Sequence, residues 1–95
     1  MIYEQKFHSK FKSDLRNIDK SVIQKIKDIH LANIINNPLQ YEKLKGNLFD
    51  FYSYHFKENR VDYRIAYKII DENTIVVYYM VAKRENFYKN LEKRV

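Results

Sequence analysis

His55, Arg64, Arg84 and Tyr88 are the side chains whose types and spacing fit one shared chemistry. Arg64 lies inside the apolar run Val61–Ile70, Arg84 closes the run Val81-Ala82-Lys83, and Tyr88 follows four positions later. An arginine on a core-forming strand is costly to desolvate unless an anion compensates it. Its forked guanidinium matches phosphate oxygens. Histidine alone has an unperturbed pKa close to neutrality, about 6.5. Cleaving RNA through its own 2′-hydroxyl needs a base for that hydroxyl, a cation for the crowded phosphate and an acid for the leaving 5′ oxygen. A tyrosine can stack on a base or help move a proton. The set points to phosphate held on one face of a sheet.

The elements that would position these groups follow from periodicity. Residues 1–7 are expected to form a short strand, with Ile2 and Tyr3 favouring extended backbone. Phe7, Phe11, Leu15 and Ile18 make one apolar stripe, so a helix capped by Ser9 is expected through Ile18. Asp19 or Ser21 caps a second helix, with Ser21 and Gln24 matching a capping box. Val22, Ile23, Ile26, Ile29 and Ile34 are its expected buried face. Asn36-Asn37-Pro38 ends it, because proline disfavours helix in the residue before it. Residues 39–47 are a connection. The period then changes to two, and Leu48–Lys57, Val61–Ile70 and Thr74–Ala82 are three strands joined by hairpins. Phe87 and Leu91 mark a final helix within Glu85–Val95. The expected fold class is α+β: one domain over 1–95, a helical hairpin on one face of a mostly antiparallel four-stranded sheet, and the other face open.

Alternation sorts the side chains. Tyr52, Tyr54, Phe56, Val61, Tyr63, Ile65, Tyr67 and Ile69 face the helices. Ser53, His55, Lys57, Arg64, Ala66 and Lys68 face outward. If Arg84 extends the outward set, Tyr78, Met80 and Ala82 join it. Phe49 and Phe51 break the pattern, which allows a bulge or edge. Each candidate has a plainer alternative: His55 as a half-exposed strand residue, Arg64 paired with Asp62, Glu58 or another surface acid, Tyr88 covering the sheet edge. His8 and His30 fall on the helical half and read as packing or surface residues.

Composition bounds the function. The net charge of +6 favours anionic partners, although it is spread along the chain rather than gathered in a tail. With no cysteine, disulfides and thiolate metal sites are excluded and the cytoplasm is the expected compartment. Three histidines without ligand spacing make a catalytic metal unexpected. No signal-peptide core or membrane-length apolar run is present.

Leu44-Lys45-Gly46, Tyr63-Arg64-Ile65-Ala66-Tyr67-Lys68-Ile69-Ile70-Asp71, Lys83-Arg84 and Tyr88, in that order, resemble the RelE/ParE toxin superfamily of bacterial toxin–antitoxin systems. The resemblance runs over nearly the whole chain. It implies a microbial-ribonuclease-like RelE fold and, for the RelE branch, an mRNA endoribonuclease. Such toxins act in the A site of the 30S subunit, without metal or cofactor, by 2′-OH attack. It also implies a cognate antitoxin. Arg64 matches the family's strand arginine, Arg84 the transition-state arginine and Tyr88 the C-terminal aromatic. The chain departs from RelE at Ser53 and His55, where RelE has lysines. The lysine mechanism does not carry over, and His55 is the replacement base. Lys45, Ser53, Lys57, Lys68 and Lys83 are expected RNA contacts, although scattered lysines are usually a solvated surface. A ParE-like gyrase inhibitor and an inactive binding module are the alternative functions.

Overall fold

The structure, a computed structural model, describes residues 3–95; Met1 and Ile2 of the expected first strand lie outside the described residues. In chain order it forms β1 (Glu4–Phe7), α1 (Phe11–Leu15), α2 (Lys20–Lys25), a π-helical turn (Ile26–His30), α3 (Leu31–Asn36), β2 (Glu42–Lys43), β3 (Phe51–Glu58), β4 (Val61–Ile70), β5 (Ile75–Lys83) and α4 (Phe87–Arg94). The sheet has five strands in the order β1-β5-β4-β3-β2, one more than expected. The addition is β2, two residues long, which pairs with β3 inside the stretch expected to be a plain connection. β1 runs parallel to β5 at the other edge. The long strand after it begins at Phe51, not Leu48, because Gly46–Leu48 close a 3₁₀ turn.

The helical hairpin is present with altered ends. α1 stops at Leu15 and has Lys10, not Ser9, as its N-cap, with no side-chain bond. Asp19 is the N-cap of α2, and the Ser21–Gln24 box does not form; the Gln24 amide instead donates to Asp28 at 2.8 Å. α2, the π-turn and α3 are continuous. The wider π-turn places His30 inside where Ile29 was expected, leaving Ile29 44% exposed. The exchange has a physical reason. His30 stacks on Phe56 at 4.0 Å and bridges the Tyr54 hydroxyl and the Glu58 carboxylate, each at 2.8 Å. An isoleucine there would take one partner from each, leaving the Tyr54 hydroxyl with Asn33 and Glu58 with Lys25.

The main core lies between this helical layer and the sheet. Phe11, Val22, Ile26 and Ile34 meet Tyr54, Ile65, Tyr67, Val76 and Tyr78. Tyr78 was expected on the opposite face. A β-bulge moves it: Ala66 pairs with Met80 but Tyr67 pairs with Tyr78, so Tyr79 is extra. Alternation through one added residue reverses faces, and Tyr78 turns into the core.

The second face is only partly open. Phe87 and Leu91 of α4 pack on Phe51, Ala66 and Met80, with Leu48 closing the cluster. What α4 leaves bare is the end of the sheet near the β3–β4 turn.

Candidate active site

Register assembles the site at that bare end. His55 and Arg64 are direct cross-strand partners, as are Lys57 and Asp62. Arg64 in turn lies opposite Ala82 of β5. Beyond β5, the Arg84 N–H donates to the Asp62 carbonyl at 3.0 Å, which continues the ladder and keeps Arg84 on the same face. His55, Lys57, Asp62, Arg64 and Arg84 thus line one cleft of about 390 Å³.

Tyr88, in the first turn of α4, packs against the apolar cluster and is not among the residues that line the cleft, but it touches two that are. The Arg64 guanidinium lies 4.9 Å from its ring centroid, a cation–π contact. Its hydroxyl is 3.4 Å from both Ser53 Oγ and His55 Nε2. Arg64 takes none of its alternative partners. Glu58 is on the other face with Lys25 and His30. Asp62 lies between Lys57, at 3.9 Å, and Arg84, at 4.0 Å. Among the described residues no acid lies within 4.0 Å of Arg64, so its charge is available to an anion.

Two acids were missed as site members. Asp62 shares the outward set with Arg64 and was legible by alternation. Glu42, on the unexpected strand β2, holds His55 Nε2 at 3.1 Å from Oε1; no signal marked it in a stretch that looked like a loop. His55 is pulled both ways. Burial and the Arg64 charge lower its pKa, Glu42 and Asp62 raise it, and the balance falls below the ordinary 6.5. At neutral pH the neutral imidazole therefore predominates and is able to accept a proton. Glu42→Gln removes one of the raising influences. It is expected to move the His55 pKa further down, read by NMR titration of the imidazole; an unchanged or higher value would show that the carboxylate does not act on the ring.

The other expected contacts do not enter the cleft. Ser53 is buried, 2% exposed, beneath Tyr88. Its Oγ faces the Tyr88 hydroxyl rather than the cleft. Lys68 lies over the Phe51 and Tyr79 rings at 4.8 and 5.2 Å. Lys45 lines a neighbouring cleft of about 380 Å³ with Tyr88 and Glu42. Lys83 sits opposite Tyr63, in the set that faces the helices. Tyr78 is on the far side, as the bulge requires. Among the described residues no three His, Asp or Glu side chains gather where they could hold a metal ion, and no helix is long and apolar enough to cross a membrane.

Comparison with known proteins adds to this geometry. Residues 3–92 match the family described as ParE-like toxin of type II bacterial toxin–antitoxin system. No curated protein sequence matches the chain. Among solved structures, the chain is similar to one from a RelBE toxin–antitoxin complex of Mycobacterium tuberculosis, at 24% identity and TM-score 0.76, covering 88% of this chain and 100% of that one. It is similar to a mutant of the E. coli toxin RelE in the free state, at 24% identity and TM-score 0.76, covering 100% and 99%. The isolated E. coli RelE toxin gives 27% identity and TM-score 0.67, covering 97% of each chain.

Proposed function

The chain belongs to the family of ParE-like toxins of type II bacterial toxin–antitoxin systems, and from that premise we propose that it is an endoribonuclease that cuts ribosome-bound mRNA in the cytoplasm. As a toxin of such a system it has a cognate antitoxin; related RelE toxins are seen in complexes with RelB. The observation that carries the nuclease reading is the convergence of His55, Arg64, Arg84 and Lys57 on one cleft, with Tyr88 in contact with two of them, Arg64 and His55.

The chemistry follows from those positions. With Nε2 engaged by Glu42, the His55 ring offers Nδ1 to take the proton of the 2′-hydroxyl. The 2′ oxygen bonds to phosphorus and the bond to the 5′ oxygen breaks, giving a 2′,3′-cyclic phosphate and a free 5′-hydroxyl. Arg64 and Arg84 face the charge that grows on the phosphoryl oxygens, where fixed cations act most strongly. The Tyr88 hydroxyl, within reach of His55, passes a proton to the leaving oxygen or holds a base by stacking. Because neutral His55 is the active form, the rate falls as pH drops through its lowered pKa.

The test is 5′-end mapping of a message in a translating extract to which the purified toxin is added, beside a gyrase supercoiling assay. Discrete new 5′ ends with unaffected supercoiling are expected. Intact mRNA together with inhibited gyrase would replace the nuclease reading with a ParE-like one. Intact mRNA with active gyrase would leave a binding module.

A further inference from the structure

A second cleft, of about 560 Å³, adjoins the first and shares Asp62 and Arg84 with it. Arg60, at the β3–β4 turn, and Lys83, at the end of β5, supply its other cations, and Glu85 its second acid. Asp62 is engaged by Lys57 and Arg84. Among the described residues neither Arg60 nor Lys83 has an acid within 4.0 Å. Two cations without an ion-pair partner among the described residues therefore join the shared arginine in a cleft that His55 does not line.

The backbone gives a second, separate reason to look here. Asn59 and Arg60 close the hairpin with φ of 51° and 66°. Two residues at positive φ make a turn of the mirror-image kind that strands favour, and glycine is its usual second residue. A side chain in that conformation costs roughly 1–2 kcal/mol. Arg60 holds the strained position without any side-chain hydrogen bond or ion pair among the described residues to offset it. The residue instead lines the cleft.

We propose that this cleft is a second phosphate subsite, seating the phosphate next to the scissile one on a single-stranded RNA between Arg60, Lys83 and Arg84. The identity of the ligand rests on the ribonuclease reading. The subsite would thread the strand from the His55 cleft past Arg84 and off the end of β5. Lys83, expected among the RNA contacts, takes this place rather than one in the catalytic cleft.

The test separates binding from cutting. A fluorescein-labelled 2′-O-methyl oligoribonucleotide lacks the attacking hydroxyl, so its anisotropy reports binding alone across a salt series. Each neutralised cation is expected to reduce the steepness of log K against log salt by about 0.7 for a single strand, and Arg60→Gly with Lys83→Gln by about 1.4. Arg60→Gly relieves the turn, so its melting temperature holds or rises while affinity falls. Arg60→Asn, which also tolerates this backbone, is the second variant should glycine loosen the hairpin. A folded double variant with the wild-type salt slope overturns the subsite. Cleavage of unmodified message by the wild type is measured alongside. Lost salt slope without any cleavage would retire the nuclease and keep the subsite; cleavage with an unchanged slope would do the reverse.

Discussion

Arg84→Ala is expected to slow single-turnover cleavage of a ribosome-bound message by about 10²–10³-fold while leaving the urea midpoint close to wild type. The two halves of this expectation have different grounds. The kinetic half rests on the place of Arg84, on the wall of the cleft opposite the imidazole, where charge would accumulate on phosphorus-bound oxygens. The stability half rests on its exposure. Its side chain is 67% accessible and its nearest acid, Asp62, is 4.0 Å away. A pair so exposed contributes about 0–1 kcal/mol. Only the Arg84 backbone is used in the ladder, and alanine keeps that. Arg84→Lys should recover a small part of the rate, since an ammonium supplies charge without the fork. Arg64→Ala is a less clean experiment because it also removes the cation that lies on the Tyr88 ring. A folded Arg84→Ala protein cutting at the wild-type rate would remove the transition-state role from this arginine.

Much of the fold could be read from period alone, and the exceptions share a cause. The three long strands, the helical hairpin and the final helix lie close to where alternation and helical spacing place them. The π-turn and the bulge at Tyr79 each shift the pattern by one residue, and a one-residue shift is invisible to a count of periods. That is why Ile29 and Tyr78 changed sides while their neighbours did not. The same limit shaped the site. His55, Lys57 and Arg64 share a face because β3 and β4 run in uninterrupted register from Phe51–Lys68 to Glu58–Val61, and Arg84 joins them through its N–H bond to Asp62. Lys68 belongs to the same alternate set, but it is paired with Phe51 at the other end of the strand. Sharing a face does not mean sharing a cleft. Ser53 illustrates the remaining gap: its outward direction was legible, yet what lies over it depends on where α4 docks, and no local pattern encodes that.

The docking of α4 includes an ion pair whose loss should have a large effect on stability. The bulge turns the Tyr79 carbonyl out of the ladder, and Arg94 Nη1 donates to it at 2.7 Å. The same guanidinium grips Asp14 of α1 in a two-pronged contact at 2.7 and 2.8 Å. Asp14 Oδ2 also accepts the Val81 N–H at 3.1 Å. Both side chains are nearly buried, 15% and 13% exposed. Removing one partner leaves a charge stranded in a poorly solvated place, which costs about 3–5 kcal/mol. Asp14→Ala in addition leaves the Val81 N–H without a partner. At about 4–8 °C per kcal/mol for a chain of this size, the melting temperature should fall by roughly 12 °C or more. Asp14→Ala and Arg94→Ala combined should cost clearly less than their sum, because the second change removes the stranded charge left by the first. The site follows the seat. With α4 loosened, Tyr88 leaves Arg64 and His55, so the cleavage rate per folded molecule should fall as well. Additive single effects of under about 1 kcal/mol in urea unfolding would show that the apolar contacts of Phe87 and Leu91 hold the helix and Tyr88 without the clasp.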